Sequence, residues 1–296
     1  MKGIKLKKIL GLLLIITTLF TLVACSTDNE GGKSTKDANA HSNVVIENTE
    51  ELQGTITITG STSVEKILLD MADEFMAYNP DVEINYIGTG SSAGIEDSIL
   101  GVNDIGASSR KLKESELSEG LETVTFAYDG IALITHPENP VTNLTLDQIV
   151  KIYSGQITNW NEVGGSDGTI IVVSREGASG TRGAFEELTA LEDIGLTDSA
   201  TVVEGNGNVQ AAVAGNENAI GYVSFSFIND TVKAITVEGV EANALEVKAD
   251  KYILSRPFLF TYKPEKLTTV TKAFLEYIVT SEAQVAVEQH GGITIN

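Results

Sequence analysis

Five times along this chain an apolar, strand-like run stops in a cluster of glycine, serine and threonine, and in most cases a helical pattern begins within a few residues. In "GTITITG", Ile56 and Ile58 alternate with threonines, the period-two signature of a strand. "STSVEKILLDMADEFMAYNP" follows at once, with Val64, Ile67, Leu68, Met71 and Phe75 at helical spacing and with Thr62 and Glu65 placed as a capping box. "VEINYIG" runs into "TGSSAG" and a short helix through Ile95 and Ile99. "NDIGASSR" ends another apolar stretch in serines, and "TIIVVSREGASGTRG" is a strand, a glycine-rich loop and the start of a helix carrying Phe185 and Leu188. "TVVEGNGNVQAAVAG" repeats the unit. Strands alternating with helices predict an α/β fold with parallel or mixed sheets. In such folds ligands sit at the carboxyl ends of strands, against helix N-termini.

What these junctions offer is anion chemistry. A helix N-terminus presents unpaired N–H groups and partial positive charge. Ser and Thr hydroxyls add donors that rotate to fit, glycine admits close backbone approach, and arginine supplies a planar fork for an oxyanion. "SREGASGTRG", from Ser174 to Gly183, combines all four. It is not a phosphate-binding loop of the G-x-x-x-x-G-K-[ST] kind, because it has no lysine and its spacing differs. Nor is it a nucleophile elbow, since Thr181 stands where G-x-S-x-G would need glycine after Ser179. Its plainest reading is that Ser179 or Thr181 caps a helix; similar loops at "GSTS" and "GSSAG" weigh against that as the whole explanation. No catalytic residues and no metal ligands are expected. His41, His136 and His290 are scattered, and metal-binding spacings are lacking. The acidic run from Glu114 to Glu122 reads as a solvated face.

The formal charge of −21 over 296 residues excludes a nucleic-acid-binding surface, which must be basic. The N-terminus is set apart from the fold. "MKGIKLKK" is basic, "ILGLLLIITTLFTLVA" is apolar but short for a spanning helix, and "LVAC" ends at Cys25, the only cysteine. This looks like a bacterial lipobox: residues 1–24 a signal peptide, Cys25 the lipidation site, and residues 25–51 a polar, flexible tether. Loss of the leader removes four lysines and no acids, leaving −25. One lipid group would tether the chain to a membrane without making it span one.

In order, "TGSTSV", "GTGSSAG", "DIGASSR", "YDGIALI", "IYSGQITNWNEVGG", "REGASGTRGAF" and "GNGNVQAAVAGNENAIGYVSF" resemble the phosphate-binding proteins of bacterial phosphate ABC transporters, in their lipoprotein form, over residues 52–296. The resemblance implies a two-lobed type II periplasmic-binding-protein fold with mixed sheets and a two-stranded hinge. Lobe 1 would be residues 52–130 plus 253–296 and lobe 2 residues 131–252, with crossings at "YDGIALI" and "ILSRPFLF". It implies capture of inorganic phosphate between the lobes, delivery to permease subunits, and no cofactor, enzymatic activity or nucleic-acid partner. The chain is expected to be a monomer on the extracytoplasmic face of the membrane. Matched position by position, Thr62 and Ser63 supply the first binding loop and Ser91 the second; Arg175 pairs with the anion, and Ser179, Gly180 and Thr181 are donors at a helix N-terminus. Ser61 and Ser92 are neighbours with a capping role, and Arg110 and Arg182 match no family role.

One position departs from the pattern. Some members of the family carry an aspartate where this chain has Ser109, and that carboxylate accepts the proton of phosphate and rejects sulfate. The candidate replacement is Asp129, whose other readings are a turn residue or a partner for Arg175. The alternatives for function are a binding protein for sulfate or molybdate, a surface phosphatase using the same donors on an ester, and a sensory or adhesive lipoprotein.

Overall fold

The computed structural model describes residues 51–295; the leader, Cys25 and the tether through residue 50 lie outside the described residues. The strands are β1 (Gln53–Gly60), β2 (Asp81–Ile87), β3 (Ile105–Ser108), β4 (Glu122–Thr135), β5 (Asn143–Leu144), β6 (Ile171–Arg175), β7 (Thr201–Val203), β8 (Ala219–Ser224), β9 (Lys233–Ala234), β10 (Thr236–Val237) and β11 (Ser255–Tyr262). The helices are α1 (Glu65–Tyr78), α2 (Ser91–Leu100), α3 (Glu114–Leu117), α4 (Leu146–Tyr153), α5 (Gly180–Thr189), α6 (Gly205–Ala214), α7 (Ala244–Lys248), α8 (Thr269–Tyr277) and α9 (Ser281–Gln289).

The expected α/β alternation is present, and α1 shows its origin. Its apolar residues at helical spacing, Ile67, Leu68, Met71 and Phe75, are all buried. Each such side chain contributes about 1.5–3 kcal/mol by leaving water. Phe75 packs edge-on against Phe274 of α8, with ring centroids 5.3 Å apart. The helix start differs from expectation: α1 begins at Glu65 with Val64 at its N-cap and no side-chain cap, so Thr62 and Glu65 form no capping box.

The main sheet runs β2-β1-β3-β11-β4-β8-β6-β7 and is mixed. β1 lies parallel to β2 and β3, and β6 lies parallel to β7 and β8. Between these parallel groups stand β11 and β4, antiparallel to each other. β4 is long enough to serve two cores. Phe126 and Ala127 join Ile56, Ile58, Phe258 and Phe260 in one, and Ile131 to Ile134 join Val173, Phe185, Tyr222 and Val223 in the other. The carboxyl ends of β1, β2 and β3 therefore come from one core, those of β6, β7 and β8 from the other, and the loops that follow them meet. Gly60 shows how tight the turns are: its φ is +138°, and a Cβ there would stand 2.1 Å from the Ala107 carbonyl oxygen.

Candidate functional site

After β1 the chain turns through Ser61, Thr62 and Ser63. The Ser61 N–H donates to the Ala107 carbonyl on the neighbouring strand, and its hydroxyl accepts from the Ser63 N–H. Thr62 and Ser63 are thereby held off the helix, with their hydroxyls directed toward the opposite core. Ser91 opens α2, and its Oγ accepts the Ser109 N–H at 3.0 Å and lies 3.3 Å from Ser109 Oγ. Ser63, Ser91 and Ser109 are fully or almost fully buried.

The opposite wall is the loop between β6 and α5. Ser179 is the N-cap of α5 and accepts the Arg182 N–H at 3.2 Å, so its hydroxyl oxygen does the capping expected on the plainest reading. Gly180 and Thr181 occupy the first turn, where N–H groups have no intrahelical acceptor. The walls touch. Thr181 Oγ1 is 2.8 Å from Ser63 Oγ, and the Ser92 N–H donates to the Ala178 carbonyl at 3.1 Å. A Cβ on Gly180 would lie 2.1 Å from Ser91 Oγ and 2.7 Å from Ser109 Oγ, so glycine is required for this approach.

Arg175, at the end of β6, is 1% exposed. Its Nε and Nη2 donate to the two carboxylate oxygens of Glu176, at 2.8 and 2.7 Å, and Nη2 also reaches Thr62 Oγ1 at 3.3 Å. Its Nη1 is buried with no hydrogen-bond partner. Burial opposes ionisation of Glu176, but the hydrogen bonds and charge of Arg175 outweigh it and hold the carboxyl below its ordinary value of 4.5.

Asp129 is not a turn residue and does not pair with Arg175. It lies on β4 directly opposite Arg256 of β11. Its Oδ2 accepts from Arg256 Nε and Nη2, at 3.1 and 2.8 Å, and its Oδ1 accepts from Ser224 Oγ and the Phe225 N–H, at 2.9 and 3.2 Å. Two donors on each oxygen fill the carboxylate's capacity. Burial pushes the Asp129 carboxyl above its usual value, while the charge and hydrogen bonds of Arg256 pull it back.

Two residues enter the cluster that the sequence reading did not assign to it. Arg256 Nη1 donates to the Ser109 carbonyl and Nη2 to Ser63 Oγ, at 3.1 and 3.2 Å. Asn206, in the first turn of α6, donates through Nδ2 to Ser63 Oγ at 3.0 Å and to Thr62 Oγ1 at 3.4 Å. A signal for Arg256 is its place in "ILSRPFLF", where a charge interrupts an apolar strand and must find partners. Asn206 lies in "GNGNVQAAVAG" next to a positive-φ glycine, but nothing local marks its side chain.

The two unassigned arginines brace the walls. Arg110 forms a bidentate pair with Glu116, at 2.8 and 2.7 Å, and donates to Ser92 Oγ. Glu116 therefore leaves the solvated acidic face that its run suggests. Arg182 does not point freely to solvent: it bonds Glu186 and the Arg175 carbonyl, at 2.7 and 3.0 Å. Among the described residues no group of His, Cys, Asp and Glu could hold a metal ion, and no helix is long and apolar enough to cross a membrane.

The arrangement gathers hydroxyl and N–H donors from both walls around two buried ion pairs. The ions within it cancel, Arg175 against Glu176 and Arg256 against Asp129. What remains is N–H and O–H dipoles together with one unused guanidinium nitrogen.

Comparison with known proteins gives this geometry a context. Residues 46–282 match the family model for the PBP superfamily domain. The chain is 30% identical over 287 residues to the phosphate-binding protein PstS of Bacillus subtilis, covering 96% of this chain and 92% of that one. A putative phosphate ABC transporter substrate-binding protein from Clostridium perfringens, solved with bound phosphate, superposes with a TM-score of 0.81 at 48% identity, over 82% of this chain and all of that one. An ABC-type phosphate transport receptor from Vibrio cholerae gives a TM-score of 0.71 at 39% identity, over 81% of this chain and 99% of the other.

Proposed function

This chain belongs to the PBP superfamily, among its PstS-like phosphate-binding proteins, and on that premise we propose that it captures inorganic phosphate between its two walls and delivers it to an ABC importer. In this reading the two cores are two lobes, residues 52–130 with 253–296 and residues 131–252, and β4 and β11 are the hinge. The protein works on the extracytoplasmic side of the membrane as a binding protein and not an enzyme, held by a lipid on Cys25 and acting as a monomer. The "LVAC" spacing supports the anchor.

The observation that carries the reading is Arg175 Nη1, a buried cationic donor with nothing to bind. Leaving such a group unsatisfied costs about 1–3 kcal/mol, more when it is charged. An oxyanion beside it removes that cost and also meets the free N–H groups at the start of α5. In this reading Thr62, Ser63, Ser91, Ser109 and the segment Ser179, Gly180, Thr181 supply the remaining contacts to the anion. Asp129 is the exception: with four donors already on it, its role here is to hold Arg256.

That exception favours one variation on ligand range. With no carboxylate free to accept the proton of phosphate, the acceptors left are hydroxyls such as those of Ser91 and Ser109, and hydroxyls both accept and donate. Sulfate and molybdate should therefore be rejected less strongly than by a site with a free carboxylate. Calorimetric titration of phosphate, sulfate and molybdate tests both statements. Phosphate should bind at one site per chain and sulfate should compete measurably; absence of phosphate binding would remove the proposal.

A further inference from the structure

We infer that Asn206 is a positioning residue that fixes the direction of the hydroxyl protons in the site, so that Thr62 and Thr181 both point theirs at the anion. The inference rests on the phosphate reading above.

The argument begins outside the site. The Ser224 N–H donates to Asn206 Oδ1 at 3.1 Å. A backbone N–H can only donate, so the amide oxygen must face Ser224 and the NH2 must face the binding loop. Asn206 is 1% exposed, which leaves it no solvent alternative. Its two N–H bonds go to Ser63 Oγ and Thr62 Oγ1.

Each hydroxyl oxygen has two lone pairs and one proton. Ser63 Oγ accepts from Asn206 and from Arg256 Nη2, which fills both lone pairs. Its remaining contact, Thr181 Oγ1 at 2.8 Å, must then receive the Ser63 proton. Thr181 is 1% exposed, and with its oxygen accepting from Ser63 its own proton is left to the ligand. Thr62 Oγ1 accepts from Asn206 and from Arg175 Nη2, so its proton is likewise left over. One amide, oriented by a backbone N–H on β8, thereby turns two bifunctional hydroxyls into donors. They join Arg175 Nη1 and the α5 N–H groups, and no reorientation is needed when the anion arrives.

The test is a double-mutant cycle read by calorimetry with inorganic phosphate, on the whole protein. Asn206→Ala should weaken phosphate binding by about tenfold or more, the size expected from losing one or two hydrogen bonds. In a Thr62→Val/Ser63→Ala background the same substitution should change affinity by no more than about twofold, because its route to the anion is gone. An equal loss in both backgrounds, or no loss in the wild type, overturns the inference.

Neutron diffraction on the deuterated wild-type phosphate complex needs neither variant to fold or to bind. Deuterium on Ser63 Oγ should point at Thr181, and deuterium on Thr62 and Thr181 at the anion. Deuterium on Thr181 pointing at Ser63 overturns the inference. Wild-type protein that binds no phosphate ends the functional reading as well; binding with an additive cycle ends this inference alone.

Discussion

Arg175 and Arg256 stand on the two sides of the site, and their bonding separates their work. Arg256 has a partner on each of its three nitrogens: Asp129, Ser63 and the Ser109 carbonyl. Arg175 keeps one nitrogen in reserve. On the proposed reading Arg256 is therefore a brace and Arg175 the binder. Asp129→Asn leaves the Arg256 guanidinium buried without its counter-charge, and breaking a buried pair from one side costs about 3–5 kcal/mol. Urea denaturation should show a loss of that size, while the ratio of phosphate to sulfate affinity stays as in the wild type. A changed ratio with stability intact would instead make Asp129 a selectivity residue.

At this scale what the sequence revealed was local chemistry. Thr62, Ser63, Ser91, Ser109, Arg175 and the Ser179 to Thr181 segment sit at strand-to-helix junctions, whose composition alone suggests donors, and the structure brings them together. Arg256 and Asn206 escaped notice because their partners are remote. Arg256 meets Ser63 across 193 positions and Asp129 across 127, and Asn206 meets Ser63 across 143. The Thr62–Glu65 capping pattern misled for a related reason: the Thr62 hydroxyl is held by Arg175 and Asn206 instead of by α1.

Among the elements, the approach of α5 to α2 limits how closely the walls can meet. Gly180 is where they are tightest, and Gly177, three residues earlier in the loop that leads into α5, has nothing within 4 Å of its Cβ position. The pair forms a controlled comparison. Gly180→Ala must push Ser91 and Ser109 away, so phosphate affinity should fall at least about tenfold, or 1.4 kcal/mol. Gly177→Ala should bind as the wild type does. Equal affinities for all three proteins would mean that the close contact is not part of the bound state. The alternation of strands and helices was readable from periodicity where an element buries one face, as α1 does through Ile67, Leu68, Met71 and Phe75. The order β2-β1-β3-β11-β4-β8-β6-β7 was not, because the insertion of β11 beside β3 joins residues about 150 positions apart.

For the whole molecule, the formal charge of −21 and the internal neutrality of the site belong to one account. An acidic surface does not steer an anion inward over long range. Affinity must come from donors that are already oriented and desolvated within the site, where salt screens them little. Among the described residues Arg175 Nη1 is the one buried cationic nitrogen without a partner, which the proposal assigns to the ligand. The direct test is calorimetry with inorganic phosphate on the wild type and on Arg175→Ala. The account predicts saturable one-to-one binding by the wild type and a loss of about 2–5 kcal/mol in the variant, the cost of truncating one partner of a buried charge pair. Wild-type protein that takes up no phosphate, or a variant that binds it equally well, would contradict it.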